Sequence, residues 1–239
     1  MGSKNRIAKY IVPIIQKYID ENNITTYLEP FVGGANVIDK IKCEHKIGSD
    51  SNPYLIALLK YIVDNSSNLP KEISYEQYKQ CMRNKEKYED WYVGFVGFLC
   101  SFGSKFFGGY ARGKSNSGKP RNYALESYKN LNKQSPNLRN INFKVCDFRE
   151  IKNCKNNLIY CDPPYKNTTK YSTDDFPYNE FYDWCRKMSK NNIVLISEYS
   201  MPDDFECIWQ KQVTVAIDCN RRVNSDKNNR VEKLFICNK

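Results

Sequence analysis

An α/β fold is predicted by three features of this sequence. Strand-like and helix-like segments alternate through residues 1–64; the alternation stops over 65–137; it resumes over 138–239 and ends in two strands with no helical pattern between them. Alternation of this kind builds βαβ units and a parallel sheet. A terminal strand pair predicts an antiparallel hairpin closing that sheet. The core is therefore expected to be 1–64 with 138–239, and 65–137 to be a helical insertion.

In chain order, the first element is an amphipathic helix near 4–20, its apolar positions broken up by Pro13, Gln16, Lys17 and Tyr18. A strand at Thr26–Glu29, a glycine turn and a helix from about 36 follow. Next come a strand near Lys46–Asp50 and a helix from Pro53 to about Val63. Proline suits the first turn of a helix because its missing N–H is not needed there. The insertion opens with polar helical sequence, passes through WYVGFVGFLCSF and ends in FFGGYARGKSNSGKPRNYA. Glycines at 108, 109, 113 and 118 in that stretch predict a hairpin with a flexible tip, a basic β-ribbon. Beyond it, Ile141–Cys146, Leu158–Cys161 and Ile193–Ser197 are expected as buried strands, with Tyr178–Lys190 a helix and Val213–Cys219 and Val231–Cys237 the closing pair.

Composition narrows the function classes. Hydrophobic residues make up 41% of the 239 and charged residues 27%, which suits a packed globular protein. No stretch approaches the ~18 consecutive apolar residues that span a membrane. The basic N-terminus has helical rather than signal-peptide patterning, so a soluble, cytoplasmic protein is expected. The ten cysteines contain no C-x-x-C pair and the only histidine is His45. Structural zinc needs close ligand pairs. No metal site is therefore expected, and reduced, buried thiols are. A lone histidine in the charged run KCEHK also disfavours histidine-dependent nucleophilic catalysis.

The formal charge is +10, and no acidic residue lies between Asp90 and Glu126. Lys105, Arg112, Lys114, Lys119 and Arg121 fall in that gap, among aromatics and glycines. Charge for phosphates and flat rings for bases are what a polyanion-binding surface needs. On charge alone, a solvated face of a lysine-rich protein fits as well.

Four acids end predicted strands, where ligands of open α/β sheets bind. The sharpest is Asp162-Pro163-Pro164-Tyr165, after LIYC. The prolines stiffen a turn and leave carbonyls free to accept. A carboxylate and a neighbouring carbonyl can take both hydrogens of an amino group, while a ring lies against the base that carries it. Taken alone, the same four residues also suit a rigid surface turn. Glu29-Pro30-Phe31-Val32-Gly33-Gly34-Ala35-Asn36 follows the first strand; its glycines let a ligand approach the backbone, although it is neither a dinucleotide fingerprint nor a phosphate loop. Asp50 ends the second strand, placed to bind ribose hydroxyls, and Asp147-Phe148 can offer a carboxylate and a ring to an adenine. Each acid could instead cap the following helix. Together they are harder to explain in that way.

The series GSK (2–4), EPFVGGANV (29–37), SDSNP (49–53), the basic insertion, CDF (146–148) and DPPY (162–165) resembles the Dam-type, alpha-group family of DNA adenine methyltransferases. CSFGSKFFGGYAR (100–112) and NRVEKLFI (229–236) are similar to phage-borne members. The resemblance covers nearly the whole chain. Two departures stand out: no aromatic residue precedes the Gly-x-Lys, and NSGKPRN stands where GATC-methylating members carry Asn-x-Pro-x-Gly.

The resemblance implies a Rossmann-like methyltransferase sheet using S-adenosylmethionine as methyl donor. It places Lys4, Glu29, Phe31, Gly33 and Gly34 at the cofactor's methionine end, Asp50 on its ribose, and Asp147 and Phe148 at its adenine, with Asp162 also in reach. Asp162 would bind the target amino group, the Pro163 carbonyl its second hydrogen, and Tyr165 would stack on the flipped base. Lys105, Arg112, Lys114, Lys119 and Arg121 would contact DNA, Arg112 by matching a base-contacting arginine in similar enzymes. The partner is double-stranded DNA, and a monomer is expected in solution, with pairing on DNA left open. Cytosine N4 or RNA adenine as acceptor, or an inactive DNA-binding relative, are the alternatives.

Overall fold

The computed structural model describes residues 4–115, 117–165, 176–214 and 229–237. Gly2, Ser3, Asn116 at the expected ribbon tip and residues 215–219 of the expected closing strand lie outside the described residues. Helix α1 (Asn5–Glu21) buries Ile7, Ala8, Ile11, Ile15 and Ile19, spaced to line one face. It ends where Asn22 Nδ2 donates to the Tyr18 carbonyl at 2.9 Å and Asn23 takes φ +50°. Strand β1 (Thr26–Glu29) leads to β2 (His45–Asp50), and α2 (Pro53–Asn65) follows. Pro53 opens α2, with Asn52 Oδ1 accepting the Leu55 N–H at 3.1 Å.

The helix expected from about 36 is a single 3-10 turn, Ile38–Lys40. The glycine turn consumes much of the short β1–β2 connection, and buried Val37, Ile38 and Ile41 pack directly against the core. The apolar spacing there marks burial rather than helix.

The 65–137 stretch holds three helices. These are α3 (Tyr75–Arg83), α4 (Asp90–Gly94), continued by a wide π-type turn over Phe95–Leu99, and α5 (Tyr123–Gln134). A capping box starts α3: Ser74 Oγ accepts the Gln77 N–H, and Gln77 Oε1 accepts the Ser74 N–H. Among the described residues the expected ribbon is reduced to two isolated antiparallel bridges, Ser101 with Tyr110 and Lys114 with Pro120. Rings replace the ladder: Phe106 stacks on Tyr54 and Phe107 packs edge-on against Tyr78.

Strands β3 (Ile141–Val145), β4 (Asn157–Cys161), β5 (Ile193–Glu198), β6 (Phe205–Thr214) and β7 (Asn229–Cys237) complete a seven-stranded sheet, with α6 (Tyr178–Ser189) before β5. The order is β3-β2-β1-β4-β5-β7-β6. β1 to β5 run parallel, and β7 enters antiparallel between β5 and β6. The closing pair therefore exists, with one correction: its first strand begins at Phe205 rather than Val213. The last strand enters between β5 and the first of the pair, an order the sequence leaves open. A register shift between Cys207 and Trp209 breaks the two-residue alternation that would reveal the strand.

Neighbouring strand residues feed opposite cores. Leu158, Tyr160, Leu195 and Leu234 join α1, α2 and the 65–137 helices, whereas Ile159, Cys161, Val194, Ile196 and Phe235 pack under α6 with Phe181, Trp184 and Met188. Burial on both faces explains the near-continuous apolar strands. Each fully buried large side chain contributes ~1.5–3 kcal/mol. Cys81, Cys100, Cys161, Cys185 and Cys237 are buried free thiols, and burial pushes the Cys100 thiol up to about 12. Among the described residues no helix is long and apolar enough to cross a membrane.

Candidate active site

The strand order reverses between β1 and β4, so the crevice at their carboxyl ends is a topological switch point. Glu29 closes β1 and Asp162 follows β4, which brings two carboxylates side by side. Asp162 is 22% exposed on its side chain, within reach of a ligand, and its Oδ1 lies 3.1 Å from Lys4 Nζ. Burial pushes the Asp162 pKa up; the Lys4 cation pulls against that without cancelling it. Lys4, at the head of α1, is itself raised: burial opposes its charge, and Asp162 and Glu232 outweigh that.

Glu232 on β7 is the residue that sequence reasoning missed. Its Oε2 lies 3.3 Å from Lys4 Nζ and accepts the Tyr165 hydroxyl at 3.0 Å, and its Oε1 accepts from the Tyr199 hydroxyl at 3.5 Å. Lys4 Nζ also donates to the Tyr165 hydroxyl and sits 4.1 Å from that ring's centroid. Tyr165 packs edge-on against Tyr199 at 4.5 Å. Lys4, Asp162 and Tyr165 are thus brought together. The signal for Glu232 is weak: it stands beside Lys233 at the polar start of β7, before the apolar run Leu234–Cys237.

Glu29 is 3% exposed and accepts the Tyr27 hydroxyl at 2.7 Å. Burial holds its proton on well above the ordinary carboxylate range. Asp50 accepts backbone N–H groups from Gly33 at 3.3 Å and Asn52 at 3.0 Å. Those donors only partly offset the burial that raises its pKa. Gly33 takes φ +49°, which glycine adopts without strain. At Gly34 a Cβ would stand 2.8 Å from Asn36 Nδ2, the movable tip of a side chain, so a larger residue there would have to shift Asn36. A second residue not foreseen is Gln134, the last of α5. Its amide donates to the Gly34 and Ala35 carbonyls and to Asp39, tying the 65–137 segment to the glycine turn.

Asp147 takes the helix-capping alternative: its carboxylate accepts the Arg149 N–H and guanidinium, and that pairing holds its pKa low. Phe148, 3% exposed, lies within rings of Phe31, Phe176, Phe181 and Trp184. Phe31 and Phe176 are the half-exposed members of that group, and the Phe31 centroid lies 5.6 Å from that of Phe148.

In the basic stretch, Arg112, Lys114 and Lys119 are exposed and Lys105 is half-buried. The Arg112 guanidinium lies 4.6 Å from the Tyr75 ring centroid and 5.7 Å from that of Tyr110. Arg121 is engaged otherwise, pairing through two nitrogens with Glu126.

The donor set suits S-adenosylmethionine. Asp50 beside the glycine turn is a carboxylate that could accept ribose hydroxyls, Phe31 a ring, Lys4 a cation that could pair with a carboxylate, and Asp162 an anion that could complement a positive charge. A parallel sheet with a reversed seventh strand and acids at its strand ends defines a Rossmann-like methyltransferase. The chain belongs to the D12 class N6 adenine-specific DNA methyltransferase family, whose model matches residues 1–93 and 91–218. It is an adenine-specific DNA methyltransferase, and its family implies S-adenosylmethionine as methyl donor. It is 25% identical over 241 residues to the type II methyltransferase M.MjaIII of Methanocaldococcus jannaschii, covering 85% of this chain and 83% of that one. It is 26% identical over 208 residues to the type II methyltransferase M.FokI of Planomicrobium okeanokoites, covering 78% of this chain and 31% of that longer one. Among solved structures, the rRNA methyltransferase aviRa of Streptomyces viridochromogenes aligns with a TM-score of 0.44 at 10% identity, over 99% of this chain and 85% of that one.

Proposed function

We propose that the protein is a Dam-type, site-specific enzyme that methylates N6 of an adenine flipped out of double-stranded DNA, in a modification role like that of its type II relatives. The observation that carries this is the convergence of Asp162, Tyr165, Lys4 and Glu232 at the switch point. An adenine inside a duplex cannot reach that crevice, so the base leaves the stack at a cost of a few kcal/mol.

The Asp162 carboxylate and the Pro163 carbonyl accept the two hydrogens of the amino group, aiming the nitrogen lone pair. Tyr165 stacks on the base, which therefore displaces the Lys4 ammonium from the ring. S-adenosylmethionine, when bound, supplies an electrophilic methyl on a sulfonium. As the new N–C bond forms, the methyl–sulfur bond breaks with its electron pair left on sulfur. Positive charge grows on the amino nitrogen, the Asp162 carboxylate stabilises it, and one amino proton then passes to solvent. The residues supply position and electrostatics. Because the donor brings its own electrophile, the transfer is proposed to need no metal, and EDTA is expected to leave the rate unchanged.

Lys4, Phe31, Gly33 and Gly34 would hold the methionine end, with the enclosed Glu29 carboxyl behind them, Asp50 the ribose, and Phe148 beside Asp147 the adenine. Residues 65–137 form the target-recognition insertion in a core of 1–64 and 138–239, with Lys105, Arg112, Lys114, Lys119 and Arg121 on its DNA side. Asp162→Ala tests the assignment. Turnover should fall ~100- to 1000-fold, the loss typical of one such group, while cofactor and DNA binding persist. A variant retaining more than about a tenth of the wild-type rate, a barrier change under ~1.4 kcal/mol, would show the role to be wrong.

A further inference from the structure

We propose that Glu232 is a positioning residue for methyl transfer: it tethers the Tyr165 phenol and gives the Lys4 ammonium a second seat, so that Asp162 can turn to the target amine. The proposal rests on the stacking role assigned to Tyr165.

Glu232 lies two residues before Leu234 on β7 and therefore on the same face of the sheet, where Leu234 is fully buried. A carboxylate on a largely buried face needs partners. At 13% side-chain exposure, Glu232 has them in the candidate site: the Tyr165 hydroxyl at 3.0 Å, Lys4 Nζ at 3.3 Å and the Tyr199 hydroxyl at 3.5 Å.

Two consequences follow from this geometry. The Tyr165 ring is held at both ends, by the carboxylate on its hydroxyl and by the Tyr199 ring at 4.5 Å. Its plane is therefore set before a base arrives. Lys4, moreover, bridges two carboxylates, Asp162 and Glu232. When an amino group takes over Asp162, Lys4 keeps an anionic partner and is not left as an unpaired charge in a mostly buried place.

Glutamine separates the two tasks. Its amide oxygen can still accept the Tyr165 hydroxyl, but it carries no charge to hold Lys4. Once the methylated sequence has been determined, duplexes carrying 2-aminopurine at the target position report base flipping as a rise in fluorescence. Glu232→Ala and Tyr165→Phe should each reduce that rise at least twofold, and Glu232→Ala should lower kcat at least tenfold. Glu232→Gln should restore the rise to near wild type while kcat stays at least tenfold down. Wild-type fluorescence and kcat in Glu232→Ala would overturn the proposal, as would a Glu232→Gln variant no better than Glu232→Ala in the fluorescence assay. If Glu232→Ala does not fold, a Tyr165→Phe variant with the full fluorescence rise overturns it equally. Tyr165→Ala separates the two levels: a full rise in that variant ends the stacking role and this proposal with it. A lost rise in Tyr165→Ala, beside a full one in Glu232→Ala and Tyr165→Phe, ends only the role of Glu232.

Discussion

Lys4 Nζ lies 3.1 Å from Asp162 Oδ1, joining the first turn of the chain to the end of the central strand β4. The acid proposed to hold the target amine is thus occupied by a cation before substrate binds. That cation also tunes it: burial raises the Asp162 pKa, and Lys4 is the largest influence lowering it. In Lys4→Met the lowering is lost and the raised pKa climbs further. Since Asp162 must be ionised to accept hydrogen bonds from the amine, the acid limb of kcat/KM, which reports the free enzyme, should move to higher pH. A pH–rate profile of the variant checks this; an acid limb that stays in place or moves down would refute the tuning role.

Glu29 leads to a prediction about stability. Its carboxyl is enclosed, and burial raises its pKa well above the ordinary value. In the unfolded chain it ionises near pH ~4.3. Between that pH and the raised native pKa the folded state binds more protons than the unfolded one, so stability falls as pH rises. Glu29→Gln keeps an oxygen for the Tyr27 hydroxyl and removes the titration. Thermal melts of the cofactor-free protein should coincide for the two forms in mild acid, with the variant melting higher at neutral pH. Parallel curves would indicate that Glu29 ionises freely.

The core strands were legible because burial on both faces leaves apolar runs, and the site acids because they terminate those runs. Asp162 and Asp50 stand where the strand ends put them. Glu232 was hidden because the adjacent pair Glu232-Lys233 puts one charge on each face of the strand and does not show which of them turns into the site. β6 was hidden by its bulge at Cys207 to Trp209. The helical character of 65–137 was legible, but its ribbon was not: rings such as Phe106 on Tyr54 at 5.5 Å hold that stretch in place of a strand ladder, and they join residues far apart in the chain. For Asp147 the sequence left open helix capping and ligand contact, and the carboxylate does cap the turn after it.

Gly94 is where α4 meets α2. A Cβ there would stand 2.2 Å from the Tyr54 carbonyl oxygen, a backbone atom that cannot swing aside. Gly94→Ala should push the two helices apart and destabilise by ~1–3 kcal/mol, as overpacking does. In a protein of this size each kcal/mol lowers Tm by about 2–4 °C. Because α4 continues into the wide turn before the basic stretch, affinity for DNA should fall together with Tm. An unchanged melting curve would mean that the contact yields without cost.

The basic residues should divide by what already holds them. The Arg112 guanidinium lies against the Tyr75 and Tyr110 rings, which restrict its directions and leave its edge N–H groups to reach a base. Lys114 and Lys119 are exposed on either side of the Lys114–Pro120 bridge, suited to phosphates. Arg121 is committed to Glu126, an exposed pair that must open before the guanidinium meets DNA. Arg112→Ala should therefore lose ~1–3 kcal/mol of discrimination at one base pair, whereas Lys114→Ala should weaken binding to every duplex and flatten its salt dependence. Arg121→Ala should weaken binding less than Lys114→Ala, while Glu126→Gln, which frees Arg121, should tighten it. Methylation rates on cognate and single-mismatch duplexes, with binding measured across salt concentrations, test all four variants. Equal losses on every duplex for Arg112→Ala would move it to the phosphate backbone. A Glu126→Gln variant that binds no tighter than wild type would show that Arg121 does not face the DNA.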